Sequence, residues 1–310
     1  MKKTLTILFY ILVFALVAYY RNDISSFIIE KFIFKKELSV YSTNDYSKKD
    51  SFEYVKLTDN FEVRNKDDIL NTIYTILDSG MKEFVFYCSN EYEMCQHDVE
   101  KISIDGNYLS ILNNFVHPYN SYNKLLISTN NIGKVKVEIE KLYSDEEILY
   151  INDQLTIINE LINVNATSDV EKIKNFHDYI INKTVYDSAR ASEIKGNSYT
   201  SNLLMSHKAN GVLKNQIALC SGYTDLMAIF LNDLKVRNYK ISTEDHIWNA
   251  VYLNGKWQHL DLTWDDPITD SGENVMLDEF FMISNKSLLE KNTGEHDYRI
   301  DVYKEIAITN

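Results

Sequence analysis

The chain has 310 residues, of which 45% are hydrophobic, with only 2 Pro and 9 Gly; this suits two modest domains with short connections. A net charge of −13 argues against a nucleic-acid partner, because phosphate binding draws on clustered Lys and Arg. Three cysteines without a Cys-x-x-Cys pair or a Cys/His cluster speak against a dithiol redox protein and a structural zinc site, and no metal or cofactor is expected.

Residues 4–20 are an uncharged, mostly apolar run behind Lys2 and Lys3. That length is at the short end for a membrane helix. An uncleaved N-terminal anchor over 1–22 is the preferred reading; a cleaved signal peptide and a buried core helix are the alternatives. Leu16-Val17-Ala18 runs into Tyr19-Tyr20 and makes a poor cleavage site. Lys2 and Lys3 favour a cytoplasmic N-terminus, which Arg21, Lys31, Lys35 and Lys36 oppose.

Residues 23–150 read as a stalk and a small α+β accessory domain. Ile69, Leu70, Ile73, Ile76 and Leu77 give a helix over 67–79, opened by acids and closed by Gly80. Residues 83–88 read as a buried strand, 98–104 as a short helix, and 124–128 and 134–141 as strands. In the last, Val135, Val137 and Ile139 alternate with charged residues, so one face is solvated. Cys88 and Cys95 lie close in sequence and leave Cys220 as the odd thiol; a bridge between the first two is the expectation for a protein outside the cell, and two reduced thiols are the alternative.

Residues 151–310 form the second domain. A helix covers 152–164, and Ser168-Asp169-Val170-Glu171 is a capping box that opens another. His177 lies beside the stripe Val170, Ile173, Phe176 and Ile180 and reads as a structural histidine. A polar loop at 187–200 can line a cleft, and 202–207 read as a short helix. Leu226, Met227, Phe230, Leu231 and Leu234 place a helix over 221–234, with Cys220 at its N-terminal edge. Helix N-termini favour a thiolate.

Two aromatic and β-branched runs, 246–253 and 256–264, flank Asn254-Gly255, the pairing that a type I′ turn prefers. A two-residue loop sets Leu253 opposite Lys256 and Tyr252 opposite Trp257. Continued, it sets Trp248 opposite Asp261 and His246 opposite Thr263. Because side chains alternate faces, His246, Trp248, Asp261 and Thr263 share one face, with His246 and Asp261 diagonal neighbours. His259, opposite Ala250, reads as structural. Trp248 and Trp264 read as core aromatics or as walls of an acyl-binding cleft, and Asp265 and Asp266 as turn residues before Pro267.

A thiol, an imidazole and a carboxylate in this order are the parts of an activated cysteine nucleophile. The segments Cys220-Ser221-Gly222-Tyr223, His246-Ile247-Trp248-Asn249 and Gly255-Lys256-Trp257-Gln258-His259-Leu260-Asp261-Leu262-Thr263-Trp264-Asp265-Asp266-Pro267 resemble the transglutaminase-like superfamily of papain-like fold, the last in the form seen in Gram-positive bacteria. Phe176-His177-Asp178-Tyr179 and Val185-Tyr186-Asp187 are similar to its lead-in helix. The resemblance covers about 165–285 and implies an α+β cysteine-hydrolase core in which a Cys-bearing helix packs on an antiparallel sheet. It implies Cys220 as nucleophile, His246 as base and Asp261 as orienter. Ile247 stands where that family often has Ala. Gln216, Tyr223, Trp248 and Asn249 are candidates for the cleft or the oxyanion site, with Asn215 beside Gln216.

The function these residues point to is acyl transfer through a Cys-His-Asp triad, by hydrolysis or by transamidation. The substrate is expected to be a protein, a peptide or a cell-envelope amide, met outside the membrane. The alternative is a catalytically silent domain of the same fold that serves as a binding module at the cell surface.

Overall fold

The computed structural model describes residues 2–21, 52–195, 205–267 and 275–308. The N-terminal apolar run is a helix, α1 (Lys2–Tyr19). Among the described residues no helix is long and apolar enough to cross a membrane, so the expected anchor is not shown. Most of the expected stalk lies outside the described residues. From there the chain divides into two compact units, one containing Phe52–Ser110 and Tyr122–Lys141, the other Ile111–Ser121 and Leu142–Asn310.

In the first unit β1 (Glu62–Val63) leads into α2 (Lys66–Asp78). The Asn65 side chain accepts the Asp68 N–H and caps α2, while Asp67 and Asp68 complement the positive helix end. Ile69, Ile73, Ile76 and Leu77 are buried along one side, each contributing about 1.5–3 kcal/mol by leaving water. Next come β2 (Glu83–Cys88), α3 (Cys95–Ile104) and α4 (Gly106–Phe115), the last running on into the second unit's sequence. β3 (Tyr122–Thr129) and β4 (Lys134–Lys141) complete a sheet of order β1-β2-β4-β3. In β4 the buried residues are Val135, Val137 and Ile139, as the alternation requires. A disulfide joins Cys88 at the end of β2 to Cys95 at the start of α3, with Cα atoms 5.7 Å apart.

The second unit takes in Leu142–Asn310 together with Ile111–Ser121. Ser144 and Glu147 form a reciprocal capping box that starts α5 (Asp145–Ile162) about two turns before the expected start at 152. Ser168 caps α6 (Asp169–Lys183) by accepting the Glu171 N–H. β5 (Val185–Tyr186) follows, and 188–195 of the expected polar loop are a short helix, α7 (Ser188–Lys195). Residues 205–207 form a turn instead of the expected helix, whose other residues lie outside the described ones.

β6 (Ile217–Ala218) pairs in parallel with β5, Tyr186 opposite Ala218, and feeds α8 (Cys220–Asp233). From Gly222 to Asn232 every residue of α8 is buried, the mark of a central helix. Phe230 stacks on Phe176 of α6 at 3.8 Å. α8 also packs on β7 (Arg237–Ser242) and β8 (Ile247–Leu253), the first two strands of the antiparallel sheet β7-β8-β9. The buried charge of Asp225 in α8 is met by Lys240 Nζ of β7 at 2.8 Å and by the Tyr143 hydroxyl at 2.8 Å. β9 (Lys256–Leu260) returns along β8 with the expected register from Leu253–Lys256 to Asn249–Leu260. Asn254 and Gly255 take φ of 53° and 81°, the turn that their sequence demands. α9 (Asn285–Lys291) and α10 (Lys304–Ile308) close the unit.

The entry to α8 is tight. Leu219 N–H donates to the Ser206 carbonyl at 2.8 Å. A methyl group at Gly222 would lie 2.6 Å from that same backbone oxygen and 3.2 Å from the Lys208 carbonyl. Only a glycine lets the 205–208 turn close over the first turn of α8. Gly222→Ala is expected to destabilise the protein by about 1–3 kcal/mol, the usual cost of overpacking, measured as a lower denaturation midpoint at unchanged slope.

Candidate active site

The site lies wholly in the second unit. Leu219, extended at φ −92° and ψ 172°, delivers Cys220 as the first residue of α8, and no side chain caps that helix end. The N–H groups of Cys220 and Ser221 therefore open the helix, where intrahelical acceptors are lacking. Cys220 is a free thiol and half-buried. The Ser221 hydroxyl is turned to His207 Nδ1 at 3.0 Å.

His246 precedes β8 by one residue, at the end of a tight turn. Thr243 N–H donates to the His246 carbonyl at 2.9 Å, and His246 N–H donates to Thr243 Oγ1 at 3.1 Å. The imidazole lies nearly parallel to the Trp248 ring, 5.6 Å away. Its Nε2 bonds Asp261 Oδ2 at 2.6 Å. That leaves Nδ1 as the ring nitrogen not engaged by Asp261. The structure thus joins His246 to Asp261, as the hairpin register predicts, and sets Cys220 at the N-terminus of α8. β9 ends at Leu260, so Asp261 sits one residue beyond the ladder, where its own N–H bonds the Phe280 carbonyl at 3.2 Å.

Electrostatics couple the pair. Burial opposes a charge on His246, but the charge and hydrogen bond of the Asp261 carboxylate outweigh it, and the imidazolium is held up to about pH 10. Burial likewise opposes the Asp261 charge; the charge and hydrogen bond of His246, joined by those of His296, hold its carboxyl well below the usual carboxylate range.

Sequence reasoning missed His296. No periodicity marks Thr293-Gly294-Glu295-His296; the available signal is a histidine just after a glycine turn. His296 is buried, its Nε2 bonds Asp261 Oδ2 at 2.8 Å, and its Nδ1 bonds Thr293 Oγ1 at 2.6 Å. Asp261 Oδ1 accepts backbone N–H groups from Thr263 at 2.9 Å and Trp264 at 3.3 Å. Ligand atoms of His246, Asp261 and His296 lie within 4.8 Å of one another, but the N···O separations of 2.6 and 2.8 Å are hydrogen bonds. Ligands about 2.0–2.1 Å from a zinc ion would stand further apart.

The other candidate residues have different places. Gln216 is exposed in a left-handed conformation at the far end of β6, its carbonyl accepting the Val185 N–H, and Asn215 is exposed beside it. Tyr223 is buried and donates its hydroxyl to Asp266 at 2.5 Å. Asn249 faces α8 and donates to the Thr224 carbonyl at 3.0 Å, which ties β8 to the helix. Trp248 is fully buried with Nε1 donating to His259 Nδ1 at 3.0 Å, so it packs the floor of the site. Burial pushes His259 down to about 3. Trp264 is half-buried, 5.1 Å from the His296 ring and 5.3 Å from Phe280, and it walls the site.

Asp265 and Asp266 do lie in the turn after the sheet, but both are buried and bonded. Asp265 Oδ2 meets His177 Nε2 at 3.1 Å, and its Oδ1 accepts the Phe280 N–H at 2.9 Å. His177 is the satisfied helix histidine that its setting suggested, with Nδ1 on Asp178 at 2.9 Å. Burial raises Asp266 to about 6.

No family model matches the chain. Kyphoscoliosis peptidase of Homo sapiens is 27% identical over 142 residues, which cover 40% of this chain and 20% of that protein. The Mus musculus protein of that name is 26% identical over 142 residues, with the same coverage. The chain thus matches about a fifth of the length of these curated relatives. A solved structure of a TGase is similar at a TM-score of 0.36 and 19% identity, covering 66% of this chain and 59% of that one. The chain resembles the transglutaminase-like superfamily.

Two outcomes follow from the electrostatics. The His246 proton adds stability that is fully present below its unfolded value of about 6.5 and is lost as pH rises through about 10. His246→Gln is therefore expected to cost about 3–5 kcal/mol near pH 6, as for a broken buried pair, and the difference from wild type should shrink toward pH 10 in denaturant titrations. Asp265→Ala, which strips His177 and the Phe280 N–H of their acceptor, is expected to destabilise by about 2–4 kcal/mol, whereas Asp265→Asn, which keeps an oxygen for Phe280, should cost less in the same titration.

Proposed function

We propose that the chain is a cysteine-dependent acyl-transfer enzyme acting on carboxamide or peptide bonds. The observation that carries the proposal is the buried His246–Asp261 pair in the same unit as a free, half-buried Cys220 at the open end of α8.

The steps follow from the chemistry of each group. The Cys220 thiolate, beside the His246 imidazolium, attacks the carbonyl carbon and forms the C–S bond. The carbonyl oxygen takes up negative charge at the open end of α8, where the N–H groups of Cys220 and Ser221 are available to it. His246 Nδ1 gives its proton to the leaving amine as the C–N bond breaks, and a thioester remains. His246 then takes a proton from water or from a second amine, whose attack releases a carboxylic acid or a new amide. Asp261 keeps Nε2 protonated, so Nδ1 is the nitrogen that exchanges protons. The choice between hydrolysis and transamidation rests with access of water to the thioester; hydrolysis of peptides or cell-envelope amides is the reading taken here.

Display outside a cell membrane belongs to the same proposal. Its support is the apolar N-terminal run and the Cys88–Cys95 disulfide, which persists in oxidising compartments.

The test is turnover of a cell-envelope peptide extract by wild type and variants. Cys220→Ala is expected to abolish turnover. Asp261→Asn should remain folded and lose up to about 10⁴ in rate, as when a triad histidine takes the wrong tautomer. A Cys220 thiol that alkylates no faster than an ordinary one near pH 7, together with no turnover by wild type, would sink the enzyme and favour a binding module of the same fold.

A further inference from the structure

We propose that His296 is a positioning residue for the acyl-transfer site: it holds the Asp261 carboxylate so that Oδ2 faces His246, and so keeps Nδ1 of His246 turned to Cys220. The inference rests on the acyl-transfer reading and extends it by a fourth member.

Geometry is the first support. A carboxylate rotates about its Cβ–Cγ bond unless both oxygens are held. Asp261 Oδ1 is held by two backbone N–H groups, and Oδ2 receives Nε2 of both histidines, at 2.6 and 2.8 Å. The four acceptor directions of the carboxylate are thereby used, and no water is needed to complete them. In its Nε2–H tautomer His296 donates to Asp261 Oδ2, and the Thr293 hydroxyl then serves Nδ1 as donor. His296 therefore offers a donor without having to carry charge.

The second support is how His296 is held. Its ring stacks on Phe280 at 5.1 Å and 14°, stands edge-on to Trp248 at 4.7 Å, and meets His246 at 81°. Thr243 links both histidine-bearing segments: its Oγ1 accepts the His246 N–H and donates to the Glu295 carbonyl at 3.0 Å. One hydroxyl thus sets the two imidazoles relative to each other. A histidine used only as filling has no need of this register.

Among the described residues, these further charged and titratable groups bear on the site: Tyr186 feels Cys220, Glu295, Asp187 and Asp261, and His259 feels Asp261 and His296. None of these is altered in the variants below, so a change in profile reports on His296.

The experiment is the pH dependence of Cys220 alkylation by iodoacetamide, read by intact mass, beside kcat and KM for a peptide that wild type turns over. The wild-type alkylation limb is the reference. His296→Leu should shift that limb up by about one pH unit and lower kcat about 10- to 100-fold at nearly constant KM, the scale typical of outer-shell partners. His296→Gln, whose amide N–H can reach Oδ2, should restore the limb and stay within a few-fold of wild-type kcat.

A lower kcat with an unmoved limb in folded His296→Leu would overturn the positioning role and leave the enzyme intact. A wild type that turns over no peptide would instead overturn the acyl-transfer reading and this inference with it. If His296→Leu does not fold, Thr293→Val frees the ring from its outer side and carries the same test, with an upward shift supporting the role and an unmoved limb overturning it.

Discussion

A carboxylate out of contact with water must have its charge met by protein donors, and the arrangement around Asp261 follows from that requirement. Its side chain is 2% exposed. Two backbone N–H groups and two imidazoles surround it, and one of those imidazoles is charged because the carboxylate is there. The cost of burying either ion alone is several kcal/mol, so neither is stable in place without the other. The turn after β9, the turn before β8 and the 293–296 segment are all anchored at this one point.

The thiol is held by different means. α8 is buried on all sides, so it cannot slide without exposing Phe230, Leu226 and their neighbours. Its N-terminus is pinned by the Ser206 carbonyl, at a distance that Gly222 alone allows. Asn249 and Thr224 then fasten that helix to β8, through bonds of 3.0 and 2.9 Å. The thiol sits on a rigid helix and the histidine beside a rigid hairpin, and the two elements share a core.

Much of this was legible in the sequence where rules are local. The Asn254-Gly255 turn set the hairpin register, and the register set His246 near Asp261. Local signals were weaker where polar residues are buried. β7 went unrecognised because Asn238 and Lys240 interrupt its apolar pattern; both are buried, Asn238 against Asn232 and Lys240 against Asp225. α5 begins seven residues before the expected 152, at the Ser144–Glu147 capping box, with Ile148 and Ile151 continuing the stripe of Leu155 and Ile158 upstream. Asp265 and Asp266 read as turn residues and are that, but their burial depends on His177 and Tyr223, 88 and 43 residues away.

The sequence by itself determined the hairpin and its register, the helix that begins at Cys220, and the chemical types of the three central residues. Each depends on neighbours a few positions apart, through backbone conformation and side-chain period. Only the tertiary structure decided that a second histidine shares the Asp261 oxygen, that Asn249 and Trp248 serve the frame, and that Gln216 stands at the far end of its strand from the thiol. His296 and Asp261 are 35 residues apart. Nothing in 293–296 carries a period or a turn type that points at Asp261. Their contact exists because Phe280, Trp264 and Trp248 leave one aromatic slot beside a buried charge, and a donor must fill it.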